Sequence, residues 1–260
     1  MADTSRIKEA KAYIKAFAEG KGKPAFLHMD RKKVAMGLTR RVDDPEVMNQ
    51  KKATLCGPFA LVYGLALHQP LKYVQLVTEL FEHGKAKFKE WELKPCRDLR
   101  SYKLPEGTLI SQCDWIPCAS FRDSGNWFFD YEKETDRGGT KASEIITWLK
   151  KAGYSDIQDD YSKFDCEERE NLQEADNLRA AGYHVMMLIN AEFFKDVDSN
   201  WSLKSNHWVV LASPVKFTAT TVDLKLYSWG RLIEVSAQKK VKNDLKRFLA
   251  HYYGYVACKF

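Results

Sequence analysis

Three residues of this chain could together break an acyl bond: Cys56, His207 and Gln50. A cysteine thiolate can attack a carbonyl carbon, a histidine can move the proton, and a side-chain amide can donate to the oxygen that becomes negative. Cys56 opens the run Cys-Gly-Pro-Phe-Ala-Leu-Val-Tyr-Gly-Leu-Ala-Leu, which is apolar almost all round and is expected to be a buried helix. Pro58 falls in its first turn, where a missing N–H costs little. A helix start offers unpaired N–H groups and a partial positive charge, and both favour a thiolate. Gly57, without a side chain, is expected to leave room for a substrate carbonyl. The competing role for Cys56 is that of a buried cysteine packed as a small hydrophobe.

His207 opens the strand-like run His-Trp-Val-Val-Leu after Asn206, a rigid place for a general base. His28, His68, His83 and His251 are expected in exposed turns or helix ends, and His184 inside a strand as a core residue. Gln50 stands six residues before Cys56, close enough for its amide and the Cys56 N–H to receive one oxyanion. By default a single Gln ahead of a helix is surface decoration.

The segments Gln-Lys-Lys-Ala-Thr-Leu-Cys (50–56), His-Trp-Val-Val-Leu (207–211) and Ser-Trp-Gly (228–230) occur in that order, with 151 residues from Cys56 to His207. In order and type they resemble the papain-like cysteine peptidases. Leu-Cys-Gly-Pro-Phe-Ala-Leu is similar to the Cys-Gly-Pro-x-Ala-Leu of double-glycine leader peptidases and their bacterial relatives; papain's own Cys-Gly-Ser-Cys-Trp block is absent. Tyr227-Ser-Trp-Gly230 resembles the family's Asn-Ser-Trp-Gly, in which the Asn orients the catalytic His and the Trp shields that bond from water. Tyr227 stands where the family has Asn. Alternation along the strand puts Ser228 on the side of Leu224 and Leu226, and Asp223 and Tyr227 on the other. Ser228 is therefore favoured for orienting His207, with Asp223 second and an unassisted dyad third. Order of elements carries the resemblance over about residues 45–235.

The resemblance implies a cysteine hydrolase, peptidase or amidase, working through a Cys56–His207 thiolate–imidazolium pair with Gln50 at the oxyanion and no metal or organic cofactor. The same fold hosts acyltransferases, deamidases and transglutaminase-like enzymes. It further implies a secreted bacterial toxin or effector, with a protein or peptide substrate and a cognate immunity or adaptor protein as partners. A non-catalytic interaction protein is the reading from a different class.

Around these residues the periodicity predicts helices over 5–18, about 70–83, 140–151 and 167–181, the second closed by Gly84 and the third by Gly153. Residues 36–45 read as an extended lead-in to Pro45. Ser111–Asn126 reads as a solvated loop on an aromatic anchor, with Asp114 or Arg122 as possible substrate contacts. Strands are expected at 183–190, 207–212, 222–228, 232–235 and 253–259, with a short helix at 242–249. Helices first and a small antiparallel sheet second make an α+β class, papain-like, organised as a basic helical arm (1–44) and a catalytic domain (45–260).

Of the residues, 45% are hydrophobic and 29% charged, enough to fill a core. The net charge of +6 is scattered, with no nucleic-acid footprint, and Arg31-Lys-Lys33, Arg40-Arg41, Lys51-Lys52 and Lys239-Lys240 are expected as solvated faces. No apolar run is long enough for a membrane span, and the N-terminus lacks a signal-peptide core, so the expectation is a protein cytoplasmic in its producer and exported by dedicated machinery if at all. Cysteines 56, 96, 113, 118, 166 and 258 lack the spacing of a disulfide framework or zinc site and are expected as thiols.

Overall fold

In the computed structural model, helices fill the first half of the chain and an antiparallel sheet most of the second, an α+β arrangement. The structure describes residues 4–51, 53–107, 109–125, 139–162, 168–194, 207–239 and 241–260. Lys52, Thr108, Asn126, Cys166, Glu167, Asn206 and Lys240 lie outside them. Two packed units make up the chain, one of residues 1–140 with 150–153, the other of 141–149 with 154–260.

In the first unit, α1 (Thr4–Glu19) buries Ala10, Ile14 and Phe17 and packs on α2 (Arg31–Asp43). Residues 36–43, expected to be extended, are therefore helical. Asp30 caps that helix through its side chain and the Lys33 N–H at 2.8 Å, and Val34, Leu38 and Val42 give it a buried stripe. Gly37 fits because Cys113 packs against it: an added Cβ would meet Cys113 Sγ at 2.5 Å. Pro45 still ends the helix, leaving Asp44 extended at ψ 98°. The boundary drawn at 44/45 does not coincide with the division into units, since α1 and α2 pack on α4 (Pro70–His83) and α6 (Gln112–Gly125).

The buried helix α3 (Cys56–His68) and α4 follow the sequence pattern, Pro70 opening α4 and Gly84 closing it at φ 66°. A hairpin of β1 (Ala86–Phe88) and β2 (Trp91–Leu93) leads into the short α5 (Arg97–Ser101). Then comes α6, where a solvated loop was expected. Cys113 through Arg122 are buried, with Trp115 stacked on Tyr102 at 5.7 Å and edge-on to Phe26 at 6.0 Å. Its charged residues meet buried partners, which lets a polar-looking segment enter the core.

The second unit takes most of α7 (Ala142–Lys151), which buries Ile145 and Trp148. Its sheet uses β3 (Ile157–Tyr161), β4 (His184–Ile189), β5 (His207–Leu211), β6 (Lys216–Phe217), β7 (Val222–Ser228), β8 (Arg231–Val235) and β9 (Tyr252–Cys258). The order is β3-β9-β4-β5-β7-β6 with β8 also on β7, and every pair is antiparallel. Val185, Met187, Val209, Leu211, Leu224 and Leu226 pack with Leu172 and Ala175 of α8 (Arg169–Ala180) and Phe248 of α9 (Leu245–Leu249). His251, expected exposed, is buried: its Nδ1 lies 2.8 Å from Arg247 O and its ring lies beside Phe193. β3, Ile-Gln-Asp-Asp-Tyr, has too little alternation to be read as a strand and forms because β9 pairs with it. No helix among the described residues is long and apolar enough to cross a membrane.

β9 bends at Gly254, φ 101°, where a Cβ would stand 2.1 Å from Asp160 O of β3. Gly254→Ala must therefore both strain the backbone and push β3 away. We expect a loss of about 3 kcal/mol or more in urea denaturation.

Candidate active site

The two-residue turn joining β7 to β8 shapes one part of the site. Ser228 is paired with Arg231, so Trp229 and Gly230 form the turn, with φ of 49° and 74°. Positive φ at both positions is what a type I′ hairpin needs, and Trp is an unfavourable residue to hold there. The strain has a visible return, since the Trp229 ring lies flat on His207, centroids 4.2 Å apart and planes within 9°. Phe194 stands edge-on to Trp229 at 5.4 Å. Trp229 thus covers His207 with an apolar plate.

His207 is the first residue of β5 and only 4% exposed. Its Nε2 lies 2.6 Å from Ser228 Oγ. Val210 faces Tyr227 and Leu211 faces Leu226, so His207 and Ser228 emerge on one face of the sheet, that of Val209, Leu224 and Leu226. Asp223 is exposed and accepts from Asn243 Nδ2 at 2.6 Å. Ser228 is therefore the partner of His207, through Nε2.

Burial pushes the His207 pKa down to about 4, because a charged imidazolium there loses its water. The unfolded chain takes up that proton near the ordinary 6.5 and the folded chain only near 4. Stability contributed by the neutral ring is present above the upper value and is lost as pH falls towards the lower one. At about 1.4 kcal/mol per pH unit, the loss reaches about 3 kcal/mol. His207→Gln is expected to remove this dependence, and urea denaturation of both proteins between about pH 7 and pH 4 measures the difference.

Cys56 and Gln50 belong to the first unit. Cys56 is the first residue of α3, and Leu55 at the N-cap makes no side-chain hydrogen bond. Gly57 does not leave open space as expected. A Cβ there would meet Thr140 Cβ at 2.4 Å, so Thr140 fills the position. Arg122 Nη1 donates to both Thr140 Oγ1 and Thr54 O at 3.3 Å, which ties the turn before Cys56 to α6. Asp114 and Arg122, considered above as substrate contacts, are buried structural groups instead.

Gln50 is 5% exposed, and its Oε1 is buried without a hydrogen-bond partner. A buried amide oxygen left so costs about 1–3 kcal/mol. Half a turn of the amide puts the donor nitrogen at the same point with no change of shape.

Sequence reasoning missed Thr140 and Arg122 as supports of the Cys56 turn; neither lies in a motif, and their roles depend on packing. Among the described residues no group of His, Cys, Asp and Glu stands in a metal-binding array. Cys56, Cys96, Cys113, Cys118 and Cys258 are thiols. Burial pushes Cys113 up to about 12 and Cys118 well above its ordinary value, so neither is a ready nucleophile. Comparison with protein-family models, curated proteins and solved structures finds no match to this chain.

Proposed function

We propose that the protein is a papain-like cysteine hydrolase that cleaves an amide or peptide bond, with Cys56 as nucleophile and His207 as base and acid. The observation that carries this reading is the ring of His207, hydrogen-bonded to Ser228 and covered by Trp229. A core histidine needs no such fixing at both edge and face, whereas a proton carrier does. Cys56 at the start of a buried helix and the nearby amide of Gln50 supply the other requirements of acyl transfer.

In the reaction, Cys56 Sγ adds to the carbonyl carbon while its proton passes to His207 Nδ1. The oxygen of the tetrahedral intermediate receives hydrogen bonds from the Gln50 amide and the Cys56 N–H. His207 then gives the proton to the leaving amine, the C–N bond breaks, and a thioester remains. Water, deprotonated by His207, adds to the thioester, and the acid leaves with Cys56 reprotonated. Ser228 holds the ring by Nε2, as the Asn does in papain-like enzymes. A hydroxyl both donates and accepts, so it fixes the tautomer less firmly than an amide oxygen would. The double-glycine-peptidase style of residues 55–61 supports a toxin or effector that acts on a target-cell protein.

The test is acylation by p-nitrophenyl acetate. One equivalent of p-nitrophenolate released in a burst, with the acetyl group on Cys56 by mass spectrometry, is the expected result. No acetylation of Cys56, or acetylation spread over all exposed nucleophiles, would overturn the reading.

A further inference from the structure

Asn49 and Thr54, on either side of Gln50's approach to Cys56, are each held by α6. At one end Asp114, 0% exposed, accepts from Arg41 through both carboxylate oxygens, Nε to Oδ1 at 2.7 Å and Nη2 to Oδ2 at 2.6 Å. Oδ2 also accepts the Asn49 N–H at 3.1 Å. At the other end Arg122 Nη1 donates to Thr54 O. Asp114 and Arg122 are eight residues apart on one helix, which puts them on the same side about 12 Å apart. Between these ties the described residues Asn49, Gln50, Lys51 and Ala53 make local hydrogen bonds. Asn49 Oδ1 accepts the Lys51 N–H at 2.7 Å, Lys51 takes φ 55°, and the Ala53 N–H donates to Gln50 O at 3.0 Å.

The cost of this arrangement calls for a purpose. Burying an Arg–Asp pair requires stripping both ions of water, and apolar residues of the same shape hold helices together equally well. Apolar residues could not accept the Asn49 N–H. We propose that the buried Arg41–Asp114 pair is a positioning device for the Gln50 amide, acting through the Asn49 N–H, with Arg122 fixing the far end of the same loop. The proposal rests on the reading of Cys56 and Gln50 as nucleophile and oxyanion donor. Pre-organisation is the physical gain, because a donor displaced by about 1 Å loses much of its effect on a developing charge.

Two reagents separate positioning from general damage. Iodoacetamide alkylates Cys56 by displacement of iodide and forms no oxyanion. p-Nitrophenyl acetate acylates it through a tetrahedral oxyanion and loses p-nitrophenolate. The ratio of the two rates reports oxyanion stabilisation alone. Gln50→Ala is expected to lower acylation about 10²–10³-fold with alkylation unchanged. Asn49→Pro deletes the N–H donated to Asp114, and Met48, extended at ψ 131°, already suits a following proline. It is expected to lower the acylation-to-alkylation ratio about tenfold. Asn49→Ala, which keeps that N–H, corrects for loss of the Asn49 side chain. Asp114→Asn, which keeps the shape and weakens the acceptor, should lower the ratio in the same direction and provides a second route if the proline variant does not fold. Folded Asn49→Pro or Asp114→Asn protein with the wild-type ratio overturns the clamp while leaving Gln50 in place. An equal fall in both rates makes the effect structural and also overturns it. Failure of Gln50→Ala to change the ratio, by contrast, removes the underlying role of Gln50.

Discussion

His207→Ala is expected to slow acylation of Cys56 by about 10³-fold or more at neutral pH and to abolish turnover of any amide substrate. Two losses combine. Without the imidazole the thiol must ionise alone, near the ordinary 8.5, and the leaving amine has no acid to protonate it. General acid–base catalysis alone contributes about 10²–10⁴-fold. Burst kinetics with p-nitrophenyl acetate measure the acylation step, and circular dichroism shows whether the variant is folded. A folded His207→Ala protein that acylates at the wild-type rate would leave Cys56 acting without this histidine.

Asp114→Ala is expected to cost about 3–5 kcal/mol, because it strands the Arg41 guanidinium in the core and leaves the Asn49 N–H without its carboxylate. A domain holds only about 5–15 kcal/mol in all, so this variant sits near the edge of folding. Urea denaturation measures the loss. The double variant Arg41→Met with Asp114→Leu is expected to recover most of it, since no charge is then buried unpaired. Its stability is expected to return while its acylation-to-alkylation ratio stays low, which separates the structural from the proposed positioning role of the pair.

The elements that local pattern can encode were legible in the sequence. α3 and α4 follow from an apolar run, a first-turn proline and a closing glycine, β4, β5 and β9 from short runs rich in Val, Leu and aromatics, and β7 from its alternation. The same alternation singles out Ser228, because period two decides which side chains share a face with His207. α6 was not legible. Its Asp, Arg, Ser, Pro and Gly are loop residues by type, and they enter the core only because Arg41, Thr54 and Thr140 lie ready to receive them. Those partners are 73, 68 and 18 residues away in sequence, beyond any periodicity. α2 was hidden for a related reason. Gly37 and the paired arginines look like an exposed, broken segment until Cys113 fills the glycine's space and Asp114 takes Arg41. Gln50 was named from its distance to Cys56, but the burial that gives it meaning is a property of the packed loop.

The central claim is that Cys56 and His207 share one proton, and the rate of Cys56 alkylation against pH tests it most directly. Burial makes His207 give up its proton near pH 4; on the proposed reading it then shares one remaining proton with Cys56. The thiolate–imidazolium form of that single-proton state is the reactive one, and the alkylation rate in mildly acidic buffer reads how much of it Cys56 holds. With mass spectrometry to locate the label, wild-type Cys56 is expected to react with iodoacetamide at a rate that rises through about pH 4 and stays level to neutrality, ahead of every other cysteine. In His207→Ala the rise moves to about pH 8.5 or above, a fall of more than about 10²-fold at pH 6. A wild-type profile that rises only near pH 8.5 and does not change in His207→Ala would contradict the account.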